Sequence, residues 1–136
     1  MAHDDCIFCK VLEGEIPAQF VDEDEHTVAF MDINPWTRGH ALVIPREHSR
    51  NLYDIPEDAL SHTVVAAKRL ALRMKERLGC DGINLINSTE PAAWQTVFHF
   101  HVHVIPRYED DPLQLPTRPQ QADQDELAQV AAQLRG

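Results

Sequence analysis

No apolar run in this chain is long enough to cross a membrane, and no charged-then-apolar leader of the secretory kind stands at its start, "MAHDDCIFCK". Those two absences predict a cytoplasmic protein. Basic residues are also scarce: 12 Lys and Arg stand against 22 Asp and Glu, a net charge of −10. That balance argues against a broad basic surface for nucleic acid. An anionic ligand is left with local donors such as backbone N–H groups, helix ends and histidines. Low-complexity tracts, internal repeats and domain boundaries are missing too. Residues 1–136 therefore read as one domain, 43% hydrophobic and long enough for a real core.

What is present reads as mixed α and β. "PAQFVDEDEHTVAFMDI" alternates around a charged centre and predicts a hairpin: Phe20 and Val21, a turn, then Val28, Ala29 and Phe30. "HALVIP" is a short apolar strand closed by Pro45. The stretch from Pro56 to Leu78 predicts a helix, with Pro56 at its first position, Glu57 and Asp58 in the first turn, and Gly79 ending it. Its core stripe would be Leu60, Val64, Ala67, Ala71, Met74 and Leu78. "GINLIN" follows as a strand, and residues 108–122 read as a polar, proline-rich loop, with Tyr108-Glu109-Asp110-Asp111 simply solvated. A last short helix starts near Asp123, with Glu126 three residues on as in a capping box and Leu127, Val130, Ala131 and Leu134 as its stripe. His3, His26 and His62 are expected to face solvent, and Cys80 to be a small buried residue.

"VFHFHVHVIP", residues 97–106, sets histidines at every second position: His99, His101 and His103. The β-branched and aromatic residues between them predict a strand, in which the three imidazoles share one face while Phe98, Phe100, Val102 and Val104 share the other. Two further histidines stand out. His40 opens "HALVIP" and His48 follows Pro45 by three residues. Cys6 and Cys9 in "CIFCK" form a C-x-x-C pair, which is a zinc half-site or a redox motif. The redox motif expects a strand ahead of the pair and none is predicted, so zinc is the better reading. His48 and one histidine of the triplet are then the available partners.

"VFHFHVHVIPR" resembles the signature of the histidine triad (HIT) family, H-φ-H-φ-H-φ-φ with φ apolar. "CIFCKVLEGEIPAQFVDEDEHTVAFMDINPWTRGHALVIPREH" is similar to the N-terminal half of bacterial members, so the resemblance spans about residues 6–107. It implies an α+β fold with a five-stranded antiparallel sheet, one long and one short helix, paired into a homodimer. It also implies binding of purine nucleotides, with hydrolysis of nucleoside phosphoramidates or dinucleoside polyphosphates or transfer of the nucleotidyl group.

Carried over residue by residue, the resemblance makes His101 the nucleophile at the α-phosphorus, through a covalent nucleotidyl-histidine. His103 would hydrogen-bond the phosphate region, and His40 would stand close to the triad. Asp32 would hold the ribose hydroxyls with Ile33 against the base. Asn87 and Gln95 match polar contacts to ribose-phosphate and α-phosphate, and Thr96 takes a place where relatives often carry serine. His99 is a metal ligand in zinc-bearing relatives, which gives a structural Zn2+ site of Cys6, Cys9, His48 and His99. The chain departs from the family in "NSTEPAAWQ": relatives commonly read N-x-G-x-x-A-G-Q. Here there is no glycine, one extra residue, and Trp94 directly before Gln95. In relatives this loop shapes the leaving-group side of the pocket.

Two rival functions stand beside this one. Three alternate histidines on a strand also suit a metal-dependent hydrolase with all three as zinc ligands. A nucleotide-binding regulatory module with vestigial catalysis is the other.

Overall fold

The computed structural model describes residues 5–115 and 118–136; His3 lies outside them. The chain runs α1 (Ile7–Leu12), β1 (Phe20–Glu23), β2 (Thr27–Met31), β3 (Ala41–Pro45), α2 (Glu57–Leu78), β4 (Gly82–Ile86), a 3-10 turn (Pro91–Ala93), β5 (Val102–Arg107) and α3 (Gln124–Arg135). The strands form one antiparallel sheet in the order β1-β2-β3-β5-β4, the α+β architecture expected.

Strand alternation assigns the two faces of the sheet. Ala29, Ala41, Val43, Phe100, Val102 and Val104 pack under α2, against Ala66, Ala67, Leu70 and Met74. Val28, Phe30, Leu42 and Ile44 face the opposite way and are covered by Phe8, Cys9 and Val11 of α1. The centre of the sheet is thus apolar on both sides. Arg69 of α2 ties the helix to the hairpin through Asp22 and Asp24, each at 2.8 Å.

Several expectations change. The histidine strand is shorter than 97–106: regular pairing begins at Val102. The ladder with β3 runs from Ala41↔Val104 to Val43↔Val102 and then stops. Further along β3, Pro45 has no N–H to donate and its carbonyl is bound by the His99 ring at 2.9 Å. Phe98 does not join the α2 core but lies 4.3 Å beneath the Arg50 guanidinium. On α2 the expected Leu60, Ala67, Ala71, Met74 and Leu78 do meet the core, but Val64 is exposed, and Thr63, Ala66 and Leu70 are buried beside them. Pro56 is the N-cap rather than the first helical residue. Helix α1 had no periodic signal, being only 6 residues long. The stripe of α3 is uncovered, with Leu134 exposed, although Asp123 caps it as expected through the Glu126 N–H.

Asp111 is not merely solvated. It takes both Arg107 nitrogens at 2.9 Å and fixes the turn after β5. His26 and His62 are exposed as expected, yet their rings stack on each other at 3.8 Å. Cys80 is only partly buried, against the α2 core.

Candidate functional site

Phe100, between His99 and His101, turns into the α2 core, so the histidines on either side face the α1 side of the sheet. They do not share one task, because each ring's second nitrogen has a different partner.

His101 Nδ1 lies 2.7 Å from the His99 carbonyl. A carbonyl only accepts, so Nδ1 carries the proton and Nε2 keeps its lone pair. The ring is 5% exposed and has the Phe8 ring edge-on at 5.1 Å. Burial holds its pKa below the ordinary imidazole range, opposed by the bond to His99 and by Asp32. His101 is therefore a neutral base with one free nitrogen at the floor of a pocket. Phe8, Val11, Phe30, Asp32, Ile33, Thr96 and His103 are among the residues that line it.

His103 belongs to a second chain of contacts. The Trp36 backbone N–H donates to His40 Nδ1 at 3.0 Å, so the His40 proton sits on Nε2. That Nε2 is 2.9 Å from His103 Nδ1 and 3.5 Å from Asp32 Oδ2. His40 therefore donates to His103 Nδ1, which leaves His103 with its own N–H on Nε2. Burial, then repulsion from His101 and His40, pushes the His103 pKa down to about 4. His40 is fully buried, and burial lowers its pKa against the pull of Asp32. It reaches no ligand space and serves to orient His103. Gly39 brings the chain into this position: at φ +97 it passes so close to Leu78 that a Cβ would meet it at 2.6 Å.

Asp32, His40 and His103 converge closely enough to suggest a metal site. The tautomers argue otherwise, because His40 presents a proton there, not a lone pair. The second cluster differs. His99 Nε2 donates to the Pro45 carbonyl, so Nδ1 carries the lone pair, and it lies 3.4 Å from Cys6 Sγ and 3.6 Å from Cys9 Sγ. Cys9 Sγ is also 3.4 Å from His48 Nδ1, and the four donor atoms all lie within 4.8 Å of one another. Two thiols and two imidazoles, one already oriented by a carbonyl, match the donor set and outer-shell pattern of a structural zinc site. Burial pushes the Cys6 thiol up to about 11. Cys6 also caps α1, its sulfur accepting the Cys9 N–H.

The remaining expected residues divide. Asp32, Ile33 and Thr96 line the pocket, with Ile33 87% exposed at its rim. Asp32 also accepts the Asn34 N–H in a local turn. Asn87 lies outside the lining and donates to the His101 carbonyl at 2.9 Å. Gln95 is buried with both ends used: Oε1 accepts from the Glu90 N–H and Asn51, and Nε2 donates to the Arg50 and Val97 carbonyls. In this arrangement Gln95 holds the loop and is not among the residues lining the pocket. Phe8, Trp36 and Ser88 were missed. Phe8 stands in "CIFCK" two residues after a candidate ligand, and that proximity was the available signal.

Residues 13–110 match the HIT domain family. A HIT-like protein of Methanocaldococcus jannaschii is 46% identical over 78% of this chain and 81% of its own length. A zinc-bound histidine triad family protein from Mycobacterium smegmatis superposes with a TM-score of 0.78 at 38% identity, over 96% of each chain. A histidine triad nucleotide-binding protein from Candida albicans does so with a TM-score of 0.85 at 32% identity, over 96% of this chain and 95% of that one. A family match over residues 13–110, a relative 46% identical and the shared fold show that the chain belongs to the HIT family of nucleotide-binding hydrolases and transferases.

Proposed function

We propose that this protein acts at the α-phosphate of a purine nucleoside phosphoramidate or dinucleoside polyphosphate through a nucleotidyl-His101 intermediate. The observation that carries the reading is the unprotonated Nε2 of His101, set by the 2.7 Å bond from Nδ1 to the His99 carbonyl and facing the pocket. Nε2 attacks phosphorus as the bond to the leaving group breaks. Water then attacks the same phosphorus and releases His101, so one hard displacement becomes two. The Nε2–H of His103 donates to a phosphate oxygen. The apolar wall of Phe8, Val11 and Phe30 takes the base, Ile33 packs on it, and Asp32 accepts from the ribose hydroxyls.

Cys6, Cys9, His48 and His99 would hold a structural zinc ion, which supplies folding energy and takes no part in the chemistry. The protein works as a homodimer in the cytoplasm. Against the metal-hydrolase alternative, the three triad rings address three different partners and do not converge. The reading is tested by incubating the protein with adenosine and guanosine phosphoramidates and diadenosine polyphosphates and following products by chromatography. Release of the nucleoside monophosphate supports it. Tight nucleotide binding without turnover of any of them would leave the regulatory-module reading in its place.

A further inference from the structure

The chain has two tryptophans, and both line the pocket of His101 and His103. Core packing does not explain them, since Trp36 is 42% and Trp94 67% exposed. Trp36 at least has neighbours: its ring lies nearly parallel to His103, 18° apart with centroids at 5.3 Å. Trp94 is the more demanding case. Its backbone is left-handed, φ 76 and ψ 21, a conformation that glycine adopts freely and a Cβ-bearing residue does not.

The loop is held in that shape from outside. Glu90, also at positive φ, is fixed by the Gln95 side chain on its N–H at 2.8 Å. Its carboxylate takes Arg50 through two bonds at 2.9 and 3.0 Å and Asn51 at 2.6 Å. Its carbonyl accepts the Ala93 and Gln95 N–H groups. This network over-determines a strained turn, the pattern that marks functional strain. What the turn delivers is a largely exposed indole on the pocket lining.

We infer that Trp94, with Trp36 on the same rim, determines specificity by stacking on a planar aromatic ring carried by the leaving group of the substrate. The inference rests on the nucleotidyl-His101 reading. In-line displacement puts the breaking bond opposite His101 Nε2. Because His101 lies buried at the floor, the leaving group points toward the open mouth, where the indoles stand. No Lys or Arg is among the residues lining the pocket, so charge does not select the departing group. As the Nε2–P bond forms, the P–N or P–O bond breaks and its electron pair leaves with the ring-bearing group; a departing amine nitrogen takes its proton from water at the open mouth, and a departing phosphate leaves as the anion. Trp94 binds that group and exchanges no electrons. The ring belongs either to an arylalkyl amine or to the second base of a dinucleotide.

Trp94→Gly tests this, because the left-handed turn favours glycine and the loop keeps its shape; Trp94→Phe is the companion. We would measure kcat/KM for adenosine phosphoramidates of 2-phenylethylamine and of n-butylamine, and for a diadenosine polyphosphate. Stacking of one ring on one aromatic side chain predicts that the aryl-to-alkyl ratio falls roughly tenfold in Trp94→Gly and is largely kept in Trp94→Phe. A fall confined to the diadenosine substrate assigns the ring to a nucleobase, and one confined to the phenylethyl substrate assigns it to an amine. Ratios unchanged for both overturn the inference. If the wild-type protein turns over none of the three, the catalytic reading has failed, and calorimetry then decides the role of Trp94. A diadenosine ligand that binds wild type more tightly than adenosine monophosphate, with the advantage lost in Trp94→Gly, supports stacking; no advantage overturns it.

Discussion

An imidazole becomes a ligand, a nucleophile or a donor according to what holds its other nitrogen. His99 gives Nε2–H to Pro45 and turns Nδ1 to two thiols; His101 gives Nδ1–H to a carbonyl and frees Nε2; His103 accepts from His40 and keeps a donor. Only the second arrangement offers a lone pair to phosphorus, so substituting His101→Asn should lower turnover by about three orders of magnitude or more, as expected for loss of a covalent nucleophile. His103→Ala removes one hydrogen bond to an anionic oxygen and should cost about 10- to 100-fold. Zinc content should stay at the wild-type level in both variants, because neither ring is among the four donors that converge on Cys6 and Cys9. Steady-state rates and metal analysis on the same preparations check this, and loss of zinc from His101→Asn would favour the metal-hydrolase alternative. The every-second spacing made the three histidines visible in the sequence. Their separate roles depend on Pro45 and on His40, which are distant in the chain, so spacing alone left them ambiguous. Gln95 could not be read the same way: its position gave no sign of the four hydrogen bonds to protein by which it holds the loop.

Helix α1 is 6 residues long, too short to persist without outside support. Its first turn carries Cys6 and Cys9, its Phe8 packs edge-on against both His99 and His101, and its Val11 faces the pocket. The Cys/His cluster and one wall of the pocket therefore share one element. Removing zinc by a chelator, or substituting His48→Ala, should lower the Tm by at least about 5–10 °C, the shift that about 2 kcal/mol produces in a domain of this size. The same treatment should weaken nucleotide binding although no zinc ligand touches nucleotide. Thermal melts and calorimetry on untreated and chelated protein measure both effects; a lowered Tm with unchanged nucleotide affinity would separate α1 from the pocket. Elements long enough to show a period were legible in sequence, namely the hairpin, α2 and β4. Helix α1 was too brief for one, and the start of β5 was set by Pro45 of its neighbour. The phase of α2 was misjudged at Val64 because Thr63, a polar residue, takes the buried place and bonds the Ala59 carbonyl at 2.7 Å.

At the scale of the whole molecule, β4 is an edge of the sheet with Leu85 exposed, and α2 exposes Val64, Val65 and Leu72. An unpaired edge beside apolar side chains invites a second copy by a two-fold axis. Light scattering at micromolar concentration should give twice the mass of one chain, and Leu85→Asp should shift it toward the monomer; a monomeric wild type would refute the pairing. Charge makes a separate demand. The chain carries −10, and the pocket is lined by a carboxylate and neutral donors, with no Lys or Arg among its residues. An anionic nucleotide therefore approaches against the field of the whole protein and is held only by short-range bonds once inside. Screening weakens the long-range repulsion, whose reach is about 30 Å at 0.01 M salt and about 8 Å at 0.15 M, more than it weakens those contacts. So kcat/KM should rise a few-fold from low to physiological ionic strength, while kcat changes little. A protein that steers its anionic substrate with a basic surface shows the reverse slope. Initial rates across a potassium chloride series distinguish the two, and a fall in kcat/KM with salt would mean that a cationic group outside the described pocket guides the nucleotide in.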